Sequence, residues 1–384
     1  MMDNRRVWDA VIVGAGPAAS AAAITAMQKG LSCLILEQSR FPRHRPGETL
    51  HPGIEPLLRQ LGVWEAVEVQ GFLRHRGVAI QSAHGLRFEA FGSDERGEWL
   101  GLQAPRAQID AVLLDRAKAL GATVMMPCRA QRVVREGDRI IGLQTDTGYR
   151  RTRFLIDATG ARHWLATVMG IDIRRASPRL VARYGYVEGD LTAVREHPLL
   201  LQDDMGWTWI ARVRDRLTHW TRLNVLTDHA PGDARRMLSG MEAPLPRLLS
   251  GLPRVERSRG ADVTWRYVSQ PAGPGFFIVG DAVTVLDPAS SHGVLRAVMS
   301  GIHAGYLMAR ILAEPAIAEI AAAQYARWVH RWFSRDVAEL SRWYDEAFPG
   351  WRMHRGAGAS ASPGAERCED RASRSVGHPL AATV

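Results

Sequence analysis

Val11-Ile12-Val13-Gly14-Ala15-Gly16-Pro17-Ala18-Ala19 decides the fold of this chain. The apolar run predicts a buried strand, and an alanine-rich helical stretch follows the glycines to about Lys29-Gly30. A second apolar run, Leu34-Ile35-Leu36, closes on Glu37, 23 residues after Gly14. Strand, glycine turn, helix, strand and acid make the first half of a dinucleotide-binding fold. Gly14 supplies the tight turn, Gly16 lets backbone approach a pyrophosphate, and Ala19 permits close helix packing. The helix N-terminus faces the phosphates, and Glu37 is placed to hold ribose hydroxyls.

Composition bounds what surrounds this unit. The 384 residues are 46% hydrophobic and 23% charged, which suits a folded enzyme-sized chain of two domains and excludes a disordered, collagenous or coiled-coil protein. No apolar run reaches the roughly 18–20 residues of a membrane span. The N-terminus has no signal-peptide pattern, so a cytoplasmic location without a membrane span is the expectation. The net charge of +9 is carried almost entirely by arginine, since Lys29 and Lys118 are the only lysines. The arginines are dispersed without aromatic interleaving, so no nucleic-acid partner is expected. Cys33, Cys128 and Cys368 form no CxxC, and neither a disulfide framework nor a metal site is expected.

Downstream, Arg106 to Leu120 reads as an amphipathic helix with Ile109, Val112, Leu113 and Leu120 on one side. Thr123 to Met126 reads as a strand, 129–146 as a β-meander turning at Glu136-Gly137-Asp138, and Phe154-Leu155-Ile156 as a buried strand entering Asp157-Ala158-Thr159-Gly160. Residues 180–270 alternate strand-like and polar pieces, with Pro244, Pro246 and Pro253 around a short helix. Phe276 to Val279 is a buried strand leading to Gly280-Asp281; helices follow over about Gly293–Leu312 and Ala316–Phe348. The Gly-, Ala-, Ser- and Arg-rich stretch after His354 is expected to lack structure.

The first glycine turn alone serves NAD or FAD. Val279-Gly280-Asp281-Ala282, then Leu286-Asp287-Pro288 and Ser291-His292-Gly293, resembles the second FAD fingerprint of the flavoprotein monooxygenase and flavin-dependent halogenase superfamily. Arg106-x-x-x-Asp110-x-x-Leu113 and the Asp157-Ala158-Thr159-Gly160 strand end are similar to further motifs of that superfamily. The resemblance implies an α/β fold: a Rossmann-type FAD-binding domain with an inserted mixed β-sheet substrate domain and C-terminal helices. The FAD-binding segments would be 1–75, 101–170 and 271–315, and the substrate segments 76–100 and 171–270. A C-terminal helix would span 316–353, with an unstructured tail at 354–384. The implied cofactor residues are Gly14, Ala15, Gly16, Pro17, Ala18, Ala19, Glu37, Gln38, Arg45, Glu48, Arg106, Ala130, Gly280, Asp281, Pro288, Ser291, Gly293 and Val294, with Arg43 the alternative to Arg45. A helix N-terminus after the Asp-Pro loop stabilises the negative charge of reduced flavin.

Arg45-Pro46-Gly47-Glu48-Thr49-Leu50 and Gly206-Trp207-Thr208-Trp209 resemble segments of the tryptophan-halogenase-like branch. The aromatic C-terminus, Tyr325 through Tyr344 to Phe348-Pro349-Gly350-Trp351, is similar to flavoprotein monooxygenases that hydroxylate a protein tryptophan during tryptophylquinone (CTQ) cofactor biogenesis. Two departures weigh against halogenation. The branch's lysine, 25–30 residues past the Gly-Glu segment, is replaced by His75 between Arg74 and Arg76, and no proline closes the Trp207/Trp209 motif. Hydroxylation through a flavin C4a-hydroperoxide needs no such lysine, only a dry pocket that positions an electron-rich ring.

The expected activity is FAD-dependent hydroxylation of an aromatic small molecule or of a tryptophan in a partner protein. O2 is the co-substrate, and NAD(P)H or a separate flavin reductase is the electron donor. His292 either acts at the flavin or caps the following helix. His75, His84 and His51 line an entrance or are satisfied bystanders, and Trp207 and Trp209 meet substrate or pack the core. The alternatives are a reductase of the geranylgeranyl-reductase type, a halogenase with an unusual site, and a non-catalytic escort protein.

Overall fold

The computed structural model describes residues 6–225, 245–348 and Trp351. The tail after His354 and Pro244 lie outside the described residues. β1 (Val7–Val13) is buried throughout from Ala10 onward. It pairs in parallel with β2 (Cys33–Leu36) on one side and with the end of the Gly148–Asp157 strand on the other. Thr123–Met125 extends the sheet beyond β2, and Phe276–Ile278 pairs in parallel with Leu155–Asp157. These strands are uninterrupted apolar runs because a parallel sheet is covered on both faces. The first half of the Gly148–Asp157 strand pairs instead with Arg139–Thr145, itself paired with Ala130–Glu136, to complete the meander.

The helix α1 (Pro17–Gln28) buries its first ten residues, from Pro17 to Ala26. Its alanines let the Gly293–Ala313 helix approach until backbones touch. A Cβ on Gly301 would lie 2.3 Å from the Ala18 carbonyl oxygen, and one on Gly305 would lie 2.8 Å from that of Ala22. The Gly280 amide donates to Ser300 Oγ on the same helix at 2.9 Å. This seam brings chain ends nearly 300 residues apart to one crevice at the carboxyl edge of the parallel sheet.

A second, seven-stranded sheet runs in the order 259–262, 181–188, 217–224, 206–214, 199–203, 77–82, 85–90. All its pairings are antiparallel except 199–203 with 77–82. Period-two alternation gives it two different faces. Trp207, Trp209, Ala211 and Leu223 share a core with Phe333, Leu340, Trp343 and Tyr344 of the Ala318–Ala347 helix. Ile210, Trp220, Val187 and Leu199 pack with Leu249 on the other side.

Two details differ from expectation. The last helix begins at Ala318 because Pro315–Ile317 forms a separate 3-10 turn. In the Arg106–Ala119 helix, Asp110 is fully buried while Val112 and Leu120 are half-buried, because Asp110 holds Arg106 in a bidentate pair.

Gly301→Ala should lower stability by about 1–3 kcal/mol, the usual cost of overpacking, despite alanine's ~1 kcal/mol advantage in a helix. Urea unfolding reads this directly, and a midpoint at or above the parent's would contradict the seam.

Candidate functional site

Gly14 turns the chain with φ +108°, and a Cβ there would lie 2.4 Å from the Ala158 carbonyl oxygen. Its amide donates to the Leu36 carbonyl at 2.7 Å, tying the turn to the end of β2. Glu37 is buried and accepts from the Ala15 amide at 3.0 Å and the Ser39 amide at 2.8 Å. It therefore fixes the turn. Across the turn lies Arg43, with Nη2 3.7 Å from Glu37 and 4.0 Å from Asp110. The same guanidinium is 3.4 Å from where a Gly16 Cβ would stand. Arg43 Nε is buried without a hydrogen-bond partner among the described residues. Arg45 and Gln38 are exposed, and Ala130 is half-buried where its strand begins.

The second motif meets the first. After Phe276–Ile278 the chain makes a 3-10 turn, Gly280–Ala282, and leaves Asp281 exposed in the crevice. The charges acting on Asp281 are Arg106 and Arg266. Arg106 donates to both Asp110 oxygens, at 2.8 and 3.1 Å, and to the Pro46 carbonyl at 3.1 Å. Asp157 is fully buried and accepts from the Thr159 and Leu165 amides at 2.9 and 2.8 Å, ordering the loop beside Gly14. His163 joins this loop to the second motif: Nδ1 lies 2.8 Å from the Ala282 carbonyl, and Arg266 Nε donates to Nε2 at 2.8 Å. Both contacts require a neutral imidazole with its proton on Nδ1, and burial lowers its pKa accordingly.

The Asp287–Gly293 loop carries the third part. Asp287 accepts from the Ala289 amide at 2.7 Å and from the Tyr344 hydroxyl, which in turn accepts from Trp207 Nε1 at 3.0 Å. Burial pushes the Asp287 carboxyl up to about 6, against the hydrogen bonds that favour its charge. Pro288 is exposed, Val294 is buried, and Ser291 is left-handed at φ +49°. Of the two roles open to His292, its side chain makes no cap hydrogen bond; the buried ring packs 5.1 Å from that of His51. Edge-to-face and tilted contacts continue through Phe91, at 5.3 Å from His51, to His75 at 5.4 Å. His84 is exposed at a hairpin turn.

His75 is buried, with Nδ1 3.0 Å from the Gly77 carbonyl, and burial lowers its pKa to about 4. It is therefore a neutral ring, with Arg74 and Arg76 on either side of it in the chain. Lys29 and Lys118 stand exposed on helix surfaces.

On the inner sheet face, Glu48 is buried and accepts from the Tyr186 hydroxyl and the Gly47 amide; His219 Nδ1 lies 3.8 Å away. Trp209 Nε1 donates to Thr49 Oγ1 at 3.3 Å, and Thr49 donates to Gln103 Oε1 at 2.9 Å. Trp207 is wholly buried. Sequence reasoning missed Tyr186, His219, Tyr344 and Ser300, and held Arg43 only as an alternative. The small-residue spacing Ser300-Gly301-x-x-Ala304-Gly305 is a readable signal for the seam; Tyr186 and His219 have none.

This donor set fits FAD. The glycine turn with Arg43 over it suits a pyrophosphate, Glu37 a ribose, and Asp281 the crevice floor. A Cβ on Gly293 would meet nothing within 4 Å, so the N-terminus of its helix is open to a ring edge. Because the Asp287 carboxyl titrates higher folded than unfolded, its contribution to stability is full below the unfolded pKa and is lost as pH rises through about 6. Denaturation from pH 4 to 7 should therefore show Asp287→Asn gaining on the parent as pH rises. A constant difference between the two proteins would contradict this.

Residues 8–324 match the model of the FAD binding domain family. A tryptophan 2-halogenase of Chondromyces crocatus is 27% identical over 362 residues, covering 87% of this chain and 67% of that relative. A menaquinone reductase of Mycobacterium tuberculosis is 29% identical over 330 residues, covering 79% and 76%. Among solved structures, the myxobacterial chondrochloren halogenase CndH superposes with a TM-score of 0.80 at 24% identity, over 88% of this chain and 83% of that one. PqsL, a probable FAD-dependent monooxygenase from Pseudomonas aeruginosa, gives 0.72 at 15%, over 87% and 94%. The chain thus belongs to the FAD binding domain family and is an FAD-dependent oxidoreductase.

Proposed function

We propose that this flavoprotein is a monooxygenase that hydroxylates an aromatic or indole ring, either in a small molecule or in a tryptophan side chain of a partner protein. Bound reduced FAD supplies the activation of O2, with electrons from NAD(P)H or a separate reductase. The chain's own residues bind and orient. Glu37 and Arg43 hold the dinucleotide end, and the Asp287–Gly293 loop presents the helix N-terminus. Glu48, Tyr186, His219 and Trp209 form the buried wall of the inner sheet face, which excludes water from the reacting ring.

The observation that carries this reading is His75. A halogenase of this branch needs an amine there, and the buried neutral imidazole has neither that chemistry nor that charge. A second reading, halogenation, is favoured by the tryptophan 2-halogenase relative.

The test is turnover of the FAD-loaded, reduced protein with an indole substrate, isotope-labelled O2 and excess bromide. The product should gain one labelled oxygen and no bromine. A brominated product would establish the second reading, a substrate recovered reduced by two electrons would point to a reductase, and reoxidation with unchanged substrate and H2O2 as the product would count against hydroxylation of that indole.

A further inference from the structure

The Gly85–Ala90 strand closes one end of the seven-stranded sheet, and no strand among the described residues lies beyond it. The Phe91 amide that follows donates to the Arg76 carbonyl at 2.9 Å. An antiparallel ladder alternates, so residues 85, 87, 89 and 91 turn their backbone groups to the Gly77–Ser82 side. Leu86, Phe88 and Ala90 therefore turn their N–H and C=O groups outward. Side chains alternate too: Leu86, Phe88 and Ala90 share one face, Arg87 and Glu89 the other. Leu86 is 68% exposed, and the Phe88 ring, 4.5 Å from that of His197, is still 43% exposed. An open, apolar strand edge is a template for pairing with another chain.

The order of side chains selects the partner. Two copies related by a two-fold axis normal to the sheet pair antiparallel, with opposed residues on the same face. Only a centre on Leu86, Phe88 or Ala90 engages the outward backbone groups. A centre on Leu86 runs the pairing into the turn at 83–84, and one on Ala90 runs it past Gly92 into the 93–98 hairpin. A centre on Phe88 keeps it within the strand, where the opposed Leu86 and Ala90, and the two Phe88 residues, exchange both their N–H···O bonds. On the other face that register sets Arg87 against Glu89 twice. Arg87 already pairs with Glu89 of its own strand at 3.0 Å, so apposition makes four charges alternating in sign. The outward backbone groups would accept any extended segment, but a charge order that complements itself about Phe88 fits this chain.

We propose that this edge pairs with a second copy of the chain, antiparallel about Phe88, joining two seven-stranded sheets into one. The inference goes beyond the reaction proposed above and does not rest on it. One short strand from each copy makes an interface at the small end of the specific range. The dimer is therefore reversible, with a dissociation constant on the order of micromolar.

Sedimentation velocity of the FAD-loaded protein, from about 1 to 100 µM, spans that range and tests it. It should show a monomer–dimer equilibrium. Arg87→Glu and Glu89→Arg each oppose like charges twice, and each should weaken self-association at least about tenfold. Mixed together, the two variants should dimerise with each other, and the double exchange should restore the parent's behaviour. Phe88→Pro removes an outward N–H, a change an edge strand tolerates, and should leave a monomer. Val69→Ser, at an exposed position elsewhere, should change nothing. The flavin spectrum and melting temperature check that each variant folds. A protein monomeric throughout would overturn the inference. A dimer indifferent to Phe88→Pro and to the charge variants would place the contact on another surface and overturn it too, as would single variants that fail to pair when mixed.

Discussion

Zero clearance between α1 and the Gly293–Ala313 helix is the constraint on which the rest depends. The glycine turn, the Gly280-Asp281 turn and the Gly293–Ala313 helix come from opposite ends of the chain; the parallel sheet sets the two turns side by side, and this seam brings the helix to them. Alanines on one helix and Gly301 and Gly305 on the other allow carbonyl oxygens to stand where side chains would otherwise be. Ser300, accepting from the Gly280 amide, fixes the rotation of the helix about its axis. A helix positioned by larger side chains would sit farther out, and its N-terminus would miss the crevice.

Buried polar bridges then set the second sheet on this frame. Tyr186 to Glu48, Trp209 to Thr49, and Trp207 through Tyr344 to Asp287 all cross between layers. Each hydrogen bond nets only about 1 kcal/mol, while an unmade one leaves a buried group costing about 1–3 kcal/mol. The bridges therefore act less as glue than as a registry, penalising any placement of the sheet that breaks them. All three end on the Glu48-Thr49 segment or the Asp287–Gly293 loop, so sheet placement and the crevice are linked.

What the sequence revealed follows from which interactions are local. The nucleotide fold was legible because Gly14, Gly16 and Glu37 lie within one β-α-β unit, where spacing maps onto geometry. The helices over 106–119 and 293–313 were placed from the sequence, but the face assigned to the first was half right: Ile109 and Leu113 are buried, Val112 and Leu120 only half-buried, and Leu114, Ala117 and Asp110, paired with Arg106, fill the inner side. Tyr186, His219 and Tyr344 were not legible, because the Glu48 and Asp287 carboxylates they meet are more than 50 residues away and no local pattern marks them. Arg43 was undervalued because two arginines two residues apart look alike in sequence; only the fold puts one over the turn and the other in solvent. His75 stood out as a departure, but its neutrality depends on burial that spacing does not encode.

Under the proposed function the crevice holds reduced FAD for oxygen transfer beside a dry aromatic wall. Stopped-flow mixing of the reduced, FAD-loaded protein with O2 tests it most directly. An absorbance transient should precede flavin reoxidation and decay faster when an indole substrate is present. Reoxidation in a single step, indifferent to substrate, would contradict it.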